Sequence, residues 1–138
     1  MSDRTPPTAE SHTAIRANAE LVYGQLNPLT EFEFGFNDQS LDYLDGYLNS
    51  QYEQYKADPQ DRPDLASVMG CFLGEHIVHT LDGQWVMDDQ LGLSVQIAGL
   101  TANPFGKVQK ILAGGWENGE SVASFVRAIP AVIAQRSA

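Results

Sequence analysis

Glu75, His76 and His79 are the side chains whose types and spacing come closest to a reactive or metal-binding cluster in this sequence. Glu75 lies four residues before His79, and His76 lies three before it, so a helix would bring all three side chains together. Imidazole and carboxylate groups are ligands that zinc accepts, and a carboxylate beside an imidazole is also an acid–base pair. The cluster therefore predicts three alternatives: a metal or small-ligand site, an enzyme's acid–base pair, or a structural contact.

The spacing differs from the H-E-x-x-H metalloprotease motif, in which the histidines are four apart with the glutamate between them. In the structural alternative, Glu75 accepts a hydrogen bond from a backbone amide, from Trp85 or from a histidine, and so fixes its helix. The sequence favours this interpretation. It predicts no catalytic residue and no cofactor, and it keeps Glu75, His76 and His79 as candidate metal ligands.

The cluster belongs to an apolar stretch, Leu65 to Trp85, that must position it. Apolar residues cover nearly every side of this stretch at helical spacing, which is typical of a buried central helix. Ser67, Gly70 and Gly74 form a strip of small residues that would let another backbone approach closely. We expect the helix to end at Gly83 in the left-handed conformation.

The flanking patterns predict an α+β fold, with a disordered tail at residues 1–8 and a single domain at residues 9–138. Helical periodicity predicts further helices near residues 11–23, 41–55, 104–112 and 120–135, with Pro130 bending or splitting the last. Residues 84–98 alternate apolar and polar side chains around Asp89-Gln90, which predicts an antiparallel β-hairpin. We expect the helices to pack on one face of this small sheet.

Three phenylalanines alternate with other residues between Thr30 and Phe36. A period of two indicates a short strand that joins the sheet. The same aromatic side chains would also suit a loop that inserts them into the core. The pattern favours neither alternative.

The chain is strongly acidic, with 18 acidic and 8 basic residues and a formal net charge of −10. This charge disfavours nucleic acid as a partner, because the phosphate backbone is also negative. The imbalance is concentrated at residues 31–64, where nine acidic residues accompany two basic ones. Such a surface favours a partner protein with a basic surface.

Asp42, Tyr43, Tyr47 and Glu53 are the candidate partner-binding residues on the helix predicted at residues 41–55. Both tyrosines lie off its apolar stripe, and exposed tyrosines beside acidic residues are typical of protein-binding surfaces. Partly buried tyrosines at the rim of the core are the commoner alternative. We therefore predict a non-enzymatic interaction domain, such as an immunity, inhibitor or chaperone-like protein. A small-ligand or metal-binding module, or an enzyme, using Glu75 and its neighbours is the alternative, and a homo-oligomer is compatible with either.

The location predicted from the sequence is the cytoplasm. No apolar run approaches the roughly 20 residues that span a bilayer, and the N-terminus lacks the apolar core of a signal peptide. We therefore expect no membrane partner. The single cysteine, Cys71, excludes a disulfide within the chain and a zinc site with several thiolates.

A series of short motifs runs from residue 65 to residue 125. It comprises Gly74-Glu75 on a helix, Trp85-Val86, a polar turn, an apolar strand, Asn103-Pro104-Phe105 at a helix start, and Gly119-Glu120 before the last helix. This order resembles a family of small bacterial domains of unknown function. The resemblance implies a compact α+β fold in a bacterial protein, and it supplies no established activity or catalytic residue.

Overall fold

The computed structural model describes residues 4–55, 63–114 and 119–137, which form five α-helices and four short strands. The helices are α1 (Ala9–Leu26), α2 (Asp38–Tyr55), α3 (Pro63–Leu81), α4 (Pro104–Gly114) and α5 (Val122–Ser137). The strands are β1 (Arg4–Thr5), β2 (Gln84–Asp88), β3 (Gly92–Ile97) and β4 (Leu100–Ala102). The predicted α+β class is confirmed. No helix within these ranges is long and apolar enough to cross a bilayer.

The four strands form one antiparallel sheet in the order β1-β2-β3-β4. The predicted hairpin is confirmed, with Trp85 opposite Val95, and the Asp88 carboxylate accepts the amide hydrogens of Gln90 and Leu91 in its turn. The sequence patterns missed β4, which follows β3 after a two-residue turn at Ala98-Gly99. Both turn residues have positive φ, 49° and 85°, and glycine adopts that conformation far more readily than alanine.

Of the segment predicted to be a disordered tail, residues 4–8 are described and residues 1–3 lie outside the described residues. Arg4 and Thr5 pair with Asp88 and Met87 at the free edge of β2. Thr8 then caps α1, because its hydroxyl oxygen accepts the Ser11 amide hydrogen at 3.1 Å. Residues 4–8 are therefore attached to the sheet at one end and to α1 at the other.

Helix α3 is the central element, and it packs against α1, α4 and the sheet. The predicted strip of small residues is where its neighbours come closest, but these neighbours are aromatic rings and not backbones. Phe105 of α4 lies against Gly70, and Trp85 of β2 lies against Gly74. The left-handed residue at the end of α3 is Asp82, with φ of 55°, and not Gly83. Gly83 is required for space, since an added Cβ would lie 2.7 Å from Val95 Cγ1.

The three phenylalanines between Thr30 and Phe36 lie in a loop and not in a strand. Side chains satisfy the backbone amides that a strand would pair: Asn27 Oδ1 accepts from Phe34, and Ser40 Oγ accepts from Gly35. The buried Phe34 ring stacks on Phe72 of α3, with centroids 5.2 Å apart. The loop therefore completes the core over α3, and we call residues 30–37 the aromatic loop.

A buried carboxylate on α2 holds the start of α5. Asp45 accepts hydrogen bonds from the amides of Val122 and Ala123 and from the Ser121 hydroxyl, the last two at 3.0 and 2.8 Å. These amides are donors in the first turn, which no carbonyl within the helix can satisfy. Helix α5 then continues through the exposed Pro130 to its end and is not split there.

Candidate functional site

A cleft of about 550 Å³ opens between α1 and α3 and is the candidate functional site. This volume lies in the usual range for small-ligand sites. Polar side chains on its walls are His12, Arg16, Glu20, Glu75 and His79. Apolar and aromatic side chains in its lining are Ala19, Phe36, Val78 and Trp85. The cleft therefore combines an apolar surface with a small number of charged and titratable groups.

Helical spacing explains how two walls converge on one cleft. On α1, His12, Arg16 and Ala19 are separated by four and three residues, so they share one face. On α3, Glu75 and His79 are four residues apart and also share a face. Sequence reasoning identified the α3 wall but missed the α1 wall. The sequence does place polar residues at helical spacing, at positions 12, 16 and 20. This spacing indicates a site only once α1 is known to pack on α3.

Glu75 and His79 form the polar pair at the α3 wall. Glu75 Oε2 lies 3.6 Å from His79 Nε2, and the side chains are 11% and 58% exposed. The distance exceeds that of a good hydrogen bond, so the pair is held by charge when His79 is protonated. Phe36 of the aromatic loop stacks on the His79 imidazole, with ring centroids 4.8 Å apart and an interplanar angle of 12°. A sheltered carboxylate thus faces an exposed imidazole of fixed orientation.

The structural contact predicted for Glu75 is only partly realised. The polar group beside its carboxylate is His79, and a histidine was one of the three hydrogen-bond donors considered for Glu75. The Trp85 indole nitrogen has no hydrogen-bond partner among the described residues, so it does not donate to Glu75. The largely buried Trp85 instead packs its ring against Gly74 and is one of the residues that line the cleft.

His76 does not join Glu75 and His79 in the cleft. It is 3% exposed, and its ring meets Phe36 edge-on at a centroid distance of 6.1 Å. Burial lowers the pKa of His76 to about 4, against a smaller opposing effect of the Asp38 charge. Within the described ranges, no group of three or more His, Cys, Asp or Glu side chains is arranged to hold a metal ion.

His76 should make the protein less stable as the pH falls. Below about pH 6.5 the unfolded chain binds a proton at His76 that the folded protein excludes until about pH 4. The free energy of unfolding should therefore decrease as the pH falls through this window, and this loss should be absent above about pH 6.5. Urea denaturation at several pH values should show a smaller decrease for His76→Phe than for the wild type. His12→Gln, on the cleft wall, is the matched control and should keep the wild-type slope.

The candidate partner-binding residues all lie on α2. Of the two alternatives for the tyrosines, the structure has the partly buried one, because both are half-buried and packed against the core. Tyr43 meets the aromatic loop, with ring centroids 6.2 Å from Phe32 and 6.1 Å from Phe34. Glu53 is exposed. The aromatic loop therefore covers the face of α2 around Tyr43, which periodicity alone leaves open.

Asp42 is engaged by a cation from another helix. Arg127 of α5 donates to Asp42 Oδ2 at 3.1 Å and to Asp38 Oδ1 at 2.9 Å. The hydrogen bond from Arg127 lowers the pKa of Asp38 below its usual value. Both carboxylates remain well exposed, so this ion-pair group forms part of the surface that α2 and α5 share.

Comparison of the chain with protein-family models, with curated proteins and with solved structures finds no match. The chemistry of its own surfaces is therefore the basis for inferring function.

Proposed function

We propose that the protein binds a small ligand in the cleft between α1 and α3. The observation that carries this proposal is the presence of an apolar lining, which includes Phe36, Val78 and the largely buried Trp85, beside charged side chains from two different helices. Ligand sites typically combine such an apolar surface with a few polar groups that fix orientation. A cleft of about 550 Å³ has room for a small organic molecule.

The polar groups of the α1 wall are available for a ligand. Among the described residues, Arg16, Glu20 and His12 form no ion pair and no side-chain hydrogen bond. Arg16 and Glu20 are exposed, so both side chains can reach a ligand in the cleft. Recognition of a ligand by these groups requires no catalytic residue.

A titration with small aromatic compounds tests the proposal. Amide proton–nitrogen NMR spectra would be recorded with a fragment library that contains neutral, anionic, cationic and zwitterionic aromatic compounds. We expect compounds that bind to shift the Gly83 amide and the Trp85 indole signals, because both residues line the cleft. No shift of these signals by any compound at millimolar concentration would contradict the proposal.

A pair of variants in one strand locates the binding. Gln84→Trp places a large side chain at an exposed position of the cleft lining and should abolish the ligand-induced shifts. Met87→Trp, also exposed in β2 but outside the lining, should keep them. Shifts that persist in Gln84→Trp would place the binding elsewhere.

A protein-interaction role for α2 is the second candidate. It is supported by the exposed carboxylates of Asp38, Asp42 and Glu53, which lie along one helix beside the half-buried Tyr43 and Tyr47. A basic partner would be attracted to such a surface mainly through its rate of association. We expect Asp42→Lys with Glu53→Lys to remove salt-sensitive partners in pull-down experiments, whereas Glu10→Lys with Asp89→Lys, at exposed positions outside α2 and the cleft, should retain them. Identical partners for all three proteins would exclude this surface.

A further inference from the structure

We infer that the ligand of the cleft is a zwitterionic amino acid with an apolar side chain. This inference rests on the ligand-binding function proposed above and specifies the chemical class that the cleft would select. Three features carry it: a free cation on one wall, a sheltered carboxylate on the opposite wall, and an apolar lining between them.

The two walls present opposite charges. Arg16 lies on α1, and Glu75 lies on α3 across the cleft. A ligand that spans from one wall to the other therefore meets a guanidinium at one end and a carboxylate at the other. Guanidinium groups bind carboxylates through two parallel hydrogen bonds, and carboxylates accept hydrogen bonds from ammonium groups.

Arg16 differs from two other cations of this acidic protein, which carboxylates of the chain already neutralise. Lys107 pairs with Glu120, and Arg127 pairs with both Asp38 and Asp42. Arg16 forms no ion pair among the described residues, although Glu20 lies one turn along the same helix. The exposed Lys110 is also unpaired within the described ranges, but only Arg16 of these two lines the cleft, where a ligand can bring its own anionic group.

Glu75 supplies the opposite charge in a more sheltered place. Its side chain is 11% exposed, and the separation of 3.6 Å from His79 Nε2 leaves the carboxylate without a good hydrogen bond from that residue. An ammonium group would satisfy it. Glu20 adds a second carboxylate to the lining, so a simple anion would meet two negative groups and a simple cation would meet Arg16.

The apolar part of the lining suits the remaining part of such a ligand. Trp85, Phe36 and Val78 contribute rings and methyl groups to the same cleft. An apolar side chain would be removed from water there, while the two charged groups of the amino acid meet the walls. The volume of about 550 Å³ accommodates an aromatic amino acid.

Four probes with the same benzyl group test the inference. They are L-phenylalanine, 3-phenylpropionate, which lacks the ammonium, phenethylamine, which lacks the carboxylate, and N-acetyl-L-phenylalaninamide, which lacks both charges. Dissociation constants would be measured with the full chain by NMR titration near neutral pH. We expect L-phenylalanine to bind at least about tenfold more tightly than each of the other three, since loss of one charge-assisted contact has roughly that effect.

Two substitutions should affect different halves of the ligand. Arg16→Gln should weaken the binding of L-phenylalanine and 3-phenylpropionate but not that of phenethylamine. Glu75→Gln should weaken the binding of L-phenylalanine and phenethylamine but not that of 3-phenylpropionate. Arg127→Gln removes a cation outside the cleft and should change none of these constants. Circular dichroism would establish that each variant folds.

Equal binding of L-phenylalanine and one of the singly charged or neutral probes would overturn the zwitterion inference and leave a ligand-binding cleft in place. Failure of all four probes to bind would also overturn it. The fragment titration then decides separately whether the cleft binds any other class of compound.

Discussion

Replacing Asp45 with alanine should destabilise the folded protein by about 3 kcal/mol. The substitution removes an acceptor from two backbone amides and one hydroxyl at the start of α5, and it leaves the buried amides without a partner. Hydrogen bonds to a charged group contribute about 1.5–3 kcal/mol, and loss of a helix cap costs up to about 2 kcal/mol. The free energy of unfolding, from urea denaturation, measures the effect.

Asp42→Ala is the matched control for Asp45→Ala, because it removes a carboxylate from the same helix. Asp42 is 64% exposed at its side chain and pairs with Arg127, so its loss should cost no more than about 1 kcal/mol. Asp45→Asn should fall between the two, since an amide oxygen can still accept one of the bonds. A cost below about 1 kcal/mol for Asp45→Ala would show that the buried cap does not hold α5.

The second large effect is expected for Gly74→Ala, which should destabilise the protein by about 2 kcal/mol. Alanine normally favours a helix over glycine by about 1 kcal/mol. Here the added Cβ would lie well under 3.0 Å from the Trp85 ring, closer than real Cβ atoms approach another atom. The ring would have to move, and a cost of about 3 kcal/mol, at the upper end of the range for overpacking, less the gain of about 1 kcal/mol in helix propensity, leaves about 2 kcal/mol.

Gly46→Ala gives the opposite expectation in a comparable helix. Gly46 lies within α2, and an added Cβ there meets no atom within 4 Å, so alanine should stabilise the protein by up to about 1 kcal/mol. A double-mutant cycle with Trp85→Ala identifies the cause, because the cost of Gly74→Ala should disappear when the ring is absent. A cost that persists in the Trp85→Ala background would point to a different contact.

The elements that sequence patterns predicted well are those governed by local periodicity. Apolar residues on every side of α3 indicated a central buried helix, and strict alternation up to Ile97 indicated the hairpin. Asn103 and Pro104 indicated the start of α4, and Asn103 Oδ1 does accept the Gly106 amide hydrogen at 3.1 Å. In each of these cases a short stretch of chain carries the whole signal.

The errors arise where tertiary contacts override periodicity. The aromatic loop alternates like a strand, yet side chains of Asn27 and Ser40 satisfy its amides, so it needs no neighbouring strand. The same loop covers part of α2, which is why Tyr43 is half-buried. The turn at Ala98-Gly99 places an alanine at positive φ, which residue preferences disfavour.

The cleft could not be predicted from the sequence because its two walls lie about 60 residues apart along the chain. Glu75 and His79 were recognisable as a polar pair on an apolar helix. Arg16 was not, since an exposed arginine on a first helix is ordinary until α1 is known to pack beside α3. His76, equally prominent in the sequence, turns into the core and leaves the cleft with one histidine from α3.

The most direct test of a ligand-binding cleft is a crystal structure of the protein grown with the tightest-binding compound from the titrations. We predict electron density for the compound against the Trp85 ring, between Arg16 and Glu75, with the Gly83 backbone beneath it unchanged. The same experiment with Gln84→Trp should show the new indole in that place. A wild-type structure with the compound bound elsewhere would contradict the proposal. A wild-type structure in which side chains of α1 and α3 touch each other and leave no space for the compound would also contradict it.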